Sequence, residues 1–160
     1  MKSIFLFIAL GATVTTRAQV NSISLQASGL TCSMCSNAIN KSLKTLDFVL
    51  KVEADIKTYT FEITFKPNSS IDFDKIKNKV ESAGFTVCGF VANIRFDNAE
   101  IKKEQPIKIQ DKTFLFIDGN DHLLSGDKQI KILDKGFVSA NVSKKYSFLP
   151  ATNQTYHVSL

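Results

Sequence analysis

Two of the three cysteines in this 160-residue chain, Cys32 and Cys35, stand two residues apart in the run Gly29-Leu30-Thr31-Cys32-Ser33-Met34-Cys35-Ser36. Two thiols at that spacing, at the mouth of a helix, can close on one soft cation. Thiolates select Cu(I) and related soft or borderline metals. A helix N-terminus favours the anion and lowers the thiol pKa. Lys41 and Lys44 follow on the same predicted helix, and no acidic residue precedes Asp47. A thiolate is therefore electrostatically welcome here. The pair has competing chemistries: a catalytic redox couple, an oxidised surface disulfide, or half of a structural zinc site. A thioredoxin-type couple belongs to another fold with a cis-proline opposite, and no proline lies near the last predicted strand of this half. Structural zinc normally takes four ligands, and this pair supplies two.

The other soft side chains are fewer. Cys88 shares the parity of Phe90, Ala92 and Ile94 on a predicted strand, which reads as a core thiol packed like a small hydrophobe; a reserve ligand or redox partner is the alternative. Met34 stands between the paired cysteines. It is expected to face solvent as a docking or shielding residue, with an auxiliary thioether ligand as the alternative. His122 beside the turn Asp118-Gly119-Asn120-Asp121, and His157 near the end, lack any cysteine, second histidine or spaced carboxylate to complete a recognisable metal set. No nucleophile–base constellation and no phosphate-cradling glycine loop occurs in the second half. The expectation is a protein that binds rather than catalyses.

The elements that must position the cysteine pair follow from periodicity. Residues 22–27 alternate polar and apolar, a strand. Ile39, Leu43 and Leu46 fall on one stripe of a helix over residues 36–46. Phe48, Leu50, Val52 and Ala54 alternate as a second strand, and Tyr59, Phe61, Ile63 and Phe65 as a third in hairpin relation to it. Asp72 can cap a helix with the stripe Phe73, Ile76, Val80 and Ala83, stopped by Gly84. A last strand from about Phe85 carries Cys88, Phe90, Ala92, Ile94 and Phe96. The order β-α-β-β-α-β is the ferredoxin-like, split-βαβ arrangement.

At the cysteine run the segment resembles the heavy-metal-associated domain of copper chaperones, copper-ATPase metal-binding domains and the periplasmic mercury-binding protein. That family carries Gly-Met-Thr-Cys-x-x-Cys on the first loop of the same fold. Gly29, Thr31, Cys32 and Cys35 match it, and Leu30 replaces the methionine. The family also places a Gly-aromatic pair after the second helix, matched by Gly84-Phe85; Phe85 is expected to pack as a shield for the metal loop. The resemblance covers about residues 21–92. It implies a chaperone or sequestration role, with Cu(I) as cargo and Hg(II), Zn(II) or Cd(II) as alternatives. It also implies a metal donor or acceptor protein as partner, such as a copper-transporting ATPase or efflux component. An envelope thiol-redox protein, or an interaction module whose second half matters more than its metal, are the competing classes.

Charge and composition bound the rest. The formal charge is +5, yet the arginines are only Arg17 and Arg95. Base-edge and phosphate-fork readers rely on arginine, so nucleic acid is not the expected partner. Met1-Lys2, the apolar run Ile4–Val14 and Thr16-Arg17-Ala18 read as a secretory leader over residues 1–18. Its eleven-residue run is too short for a span, which needs roughly 20. Its loss removes Lys2 and Arg17, leaving +3, a mild lysine coat. The expected destination is periplasmic or secreted, with no membrane span in the mature chain. The heavy-metal-associated unit is expected over 19–98, a charged linker ending in Pro106 over 99–106, and a small all-β domain over 107–160. That last part reads as short strands at Ile107/Ile109, Thr113–Ile117, Ile130/Ile132, Phe137/Val138, Tyr146/Phe148 and Tyr156–Leu160, a barrel or sandwich of OB-like type.

Overall fold

The computed structural model describes residues 18–102, 105–118, 122–146 and 155–160. The order is β1 (Ala18–Ser28), α1 (Ser33–Leu43), β2 (Val49–Asp55), β3 (Thr60–Phe65), α2 (Phe73–Ser82), β4 (Thr86–Ile101), β5 (Pro106–Ile109), β6 (Lys112–Phe116), β7 (His122–Ile132), α3 (Ala140–Lys145) and β8 (Thr155–Ser159). The first six elements are the β-α-β-β-α-β unit. The whole is mixed α and β, mostly strand. All eight strands join one sheet in the order β2-β3-β1-β4-β7-β8-β6-β5. Among the described residues no helix is long and apolar enough to cross a membrane. The expected leader falls on residues outside this description, except Ala18, which opens β1.

The apolar alternation does what a half-buried sheet requires. Ile23, Leu25 and Ala27 of β1, Phe61 and Ile63 of β3, and Phe90, Ala92 and Ile94 of β4 are buried on one face. Helix α1 supplies Ile39 and Leu43, and α2 supplies Phe73, Ile76 and Val80. Asp72 caps α2 as its sequence position implies, its Oδ1 accepting from the Lys75 N–H at 3.0 Å. Helix α1 begins three residues before the expected start, and Leu46 is buried just beyond its end.

Strand β2 departs from simple alternation. Val49 pairs with Phe65 and Lys51 with Thr64, so Leu50 is the extra residue of a bulge. Phe48, Val49 and Val52 are buried, while Leu50 points out, 61% exposed. A bulge shifts the parity of one side relative to the other, so Leu50 leaves the core set that Val52 keeps; Ala54, of the same parity as Val52, is exposed near the end of the strand.

The second half does not stand apart as an all-β barrel. Strand β4 runs on past Asn98: Ala99 and Ile101, expected in a linker, are buried strand residues paired with Leu124 and His122. Strands β5 to β8 prolong the same sheet, which turns back over the start of α2. There Phe73 meets Phe90 of β4 at 5.3 Å, Phe114 of β6 at 6.2 Å and Tyr156 of β8 at 5.2 Å between ring centroids. The Tyr156 hydroxyl donates to Asp74 at 2.8 Å, and the Ser70 hydroxyl donates to Asp111 at 2.7 Å. Both halves thus share one hydrophobic core. Phe137 and Val138 are buried in an irregular segment rather than a strand, and Tyr146 ends the short α3. Phe148 and the Gly119–Asp121 turn lie outside the described residues.

Candidate metal centre

Strand β1 delivers the chain to one end of the sheet, where Gly29 turns it at φ +86°, a conformation that L side chains rarely adopt. Leu30 is buried beneath the turn and anchors it, whereas Thr31 and Cys32 are exposed. Cys32 is the N-cap of α1 with extended backbone, and its carbonyl accepts from the Cys35 N–H at 3.1 Å. That short turn brings the two sulfurs to 3.1 Å, with both thiols free. The separation is well beyond the covalent S–S length of about 2.05 Å and fits an S–H···S hydrogen bond.

The electrostatics follow from these contacts. The Cys35 thiol is pushed down to about 7, first by the hydrogen bond from the Cys32 thiol and next by the Thr31 backbone. Further hydrogen bonds from the Cys32 backbone and the Thr31 side chain act the same way, and burial opposes them. No acidic residue lies in the first turn of α1 to oppose an anion. Near neutral pH Cys35 is therefore more readily a thiolate than an ordinary thiol, the form that attacks electrophiles and binds metal. Met34, between the two, is 80% exposed and projects into solvent.

Phe85 reaches the same loop from the other side of the core. After α2 the chain turns at Gly84, φ +89°, where the Gly84 N–H donates to Glu81 O at 2.9 Å and the Phe85 N–H to Val80 O at 3.2 Å. This glycine-terminated helix end leaves Phe85 half-buried against the core and beside Gly29. A Cβ on Gly29 would lie 3.9 Å from the Phe85 ring.

Cys88 does not keep the parity its neighbours suggest. Gln26 pairs with Gly89 and Ala27 with Val87, so Cys88 is the extra residue of a bulge and Val87 takes the fully buried position. The Cys88 thiol is half-buried, donates to Gln26 O at 3.4 Å and is pushed up by burial. Among the described residues no three His, Cys, Asp or Glu side chains gather as a metal site, so Cys88 does not join Cys32 and Cys35. His157 is buried and paired with Asp134, which accepts from its backbone N–H at 2.8 Å and contacts its Nδ1 at 2.7 Å. It secures β8. The side chain of His122 is outside the described residues.

Residues 24–86 match the heavy-metal-associated domain. The chain is 33% identical over 63 residues to a copper-transporting ATPase of Saccharomyces cerevisiae, and 35% identical over 60 residues to a probable copper-transporting ATPase, HMA5, of Arabidopsis thaliana. These alignments take in 39% and 38% of this chain but only 6% of each relative's length. Among solved structures, the yeast copper transporter domain Ccc2a is 31% identical, covering 42% of this chain and 90% of that one, with a TM-score of 0.38. Oxidised MerP from Ralstonia metallidurans is 25% identical over 44% of this chain and 96% of that one, also at 0.38.

The heavy-metal-associated segment thus holds two sulfur donors at the N-terminus of α1, with Phe85 beside Gly29 of the same loop. Thr31, whose hydrogen bonds help lower the Cys35 pKa, is legible in sequence only as a motif position. Its effect on the thiol depends on the loop's path.

Proposed function

We propose that this chain binds Cu(I) through the thiolates of Cys32 and Cys35 and passes it to, or withholds it from, a partner protein. The observation that carries this reading is the pair of free sulfurs 3.1 Å apart on an open loop, with Cys35 lowered to about 7. Two thiolates match the softness of Cu(I). The copper-transporting ATPases similar over this segment add support for copper as the cargo. Exposure of Cys32 leaves room for an acceptor thiolate to displace the two donors one at a time, a ligand exchange without redox change. On this reading the chain is not an enzyme, Met34 meets the partner's surface, and Phe85 shields the loop. The leader-like first eighteen residues support export to the periplasm or beyond. Hg(II), Zn(II) and Cd(II) are the alternative cargoes.

A second reading draws on the same distance. Sulfurs this close can be oxidised to a disulfide, which would make the pair a thiol-redox couple instead. Anaerobic titration of the reduced protein with Cu(I), against a competing chelator, separates the two. One Cu(I) per chain, lost in Cys32→Ser and Cys35→Ser, is the expected result. Absence of stoichiometric binding, or binding that survives both substitutions, rejects the metal reading.

A further inference from the structure

Ser36 takes no part in the site as described, yet it is the one polar residue among the buried positions of α1, beside Ile39 and Leu43. It is 3% exposed, and its Oγ has no hydrogen-bond partner. Among the described residues no other buried side-chain oxygen or nitrogen is left so. A buried hydroxyl without a partner is costly, and alanine would suit this helical position better. The usual escape for a helical serine is a bond back to the carbonyl four residues earlier; here that bond is not made.

Direction supplies the missing link. Helical side chains lean toward the N-terminus, so Ser36 is directed at the turn that opens α1. Four residues before Ser36 is Cys32, the N-cap, whose side chain makes no capping bond and whose sulfur contacts Cys35 at 3.1 Å. In this structure that sulfur is engaged by its neighbour. When a soft metal binds, both thiols release their protons to solvent and become anionic acceptors with lone pairs to spare. We infer that Ser36 is a positioning residue of the metal loop, its hydroxyl donating to the Cys32 thiolate in the loaded state. The inference rests on the proposed role of Cys32 and Cys35 as metal donors. It would give the unpaired hydroxyl a partner once the cysteine pair holds metal.

Outer donors of this kind typically change metal affinity by about 10- to 100-fold. The test compares Cu(I) affinity of the reduced full chain, by chelator competition, in wild type, Ser36→Ala, Ser36→Thr and Ser36→Val, with the metal-free Tm of each. Threonine and valine have the same shape and differ by the hydroxyl. Ser36→Ala is expected to keep or raise the metal-free Tm while losing about tenfold in affinity, and Ser36→Thr to bind about tenfold more tightly than Ser36→Val. Wild-type affinity in Ser36→Ala, or equal affinity in the threonine and valine variants, overturns the inference and leaves the proposed function intact. Failure of the wild type to bind Cu(I) rejects both, and is seen before any variant is compared.

Discussion

Removal of the Phe114 side chain asks whether the metal loop depends on the second half of the chain. Phe114 sits on β6 with no exposure, its ring 6.2 Å from Phe73 of α2 and 5.9 Å from Tyr156 of β8. Truncation of a buried phenylalanine to alanine costs about 3–5 kcal/mol, through lost transfer energy and the cavity left behind. Against a total of roughly 5–15 kcal/mol for a folded chain, that is a large fraction. At about 2–4 °C per kcal/mol for a chain of this size, Phe114→Ala should lower Tm by about 6–20 °C. Because Phe73 belongs to the same core as Ile23, Leu25 and Ile39, the loss should be felt throughout. The assay is thermal unfolding by circular dichroism alongside amide hydrogen exchange resolved by segment. One cooperative transition is expected, with protection in β1 and α1 falling together with that in β6 and β8. Wild-type protection in β1 and α1, with exchange accelerated only beyond Asn98, would refute the shared core and restore two separate units.

Other expectations are more local. The alkylation rate of Cys35 by iodoacetamide, followed by mass spectrometry, should rise through about pH 7, since its lowered pKa leaves thiolate in place above that value. Cys32→Ala removes the largest cause of the lowering and should move the midpoint upward. An unmoved midpoint would show that the thiol pair is not what ionises Cys35. Cys88→Ser should leave Cu(I) affinity nearly unchanged in chelator competition, because the Cys88 sulfur is bonded to Gln26 O and outside the pair; a tenfold loss would make it a ligand. Asp72→Ala should cost about 1 kcal/mol in a denaturant titration by removing the cap of α2, and an unchanged midpoint would contradict that role.

Much of the heavy-metal-associated unit is legible from short-range pattern. The stripe Phe73, Ile76, Val80, the cap at Asp72 and the stop at Gly84 are properties of a dozen consecutive residues. So is the alternation of Ile23, Leu25 and Ala27. The second half is less legible for a physical reason. Its short apolar runs fit a separate barrel as well as they fit extra strands, because alternation reports a buried face and not what covers it. The covering element is α2, some forty residues earlier than β6. The network Tyr156–Asp74 and Ser70–Asp111 joins residues that no local window contains.

By itself the sequence determines the identity and spacing of the two thiols, the helix that follows them and the order of the first six elements, since each depends on neighbours along the chain. Tertiary structure alone decides how close the sulfurs come, which residue is extra in a strand, and that all eight strands share one sheet. Strand parity shows why. Leu50 and Cys88 sit in ordinary alternating runs, and only the partner strand's register turns each into a bulge that displaces it from the core set. A bulge is a mismatch between two strands, so neither strand's sequence alone contains it.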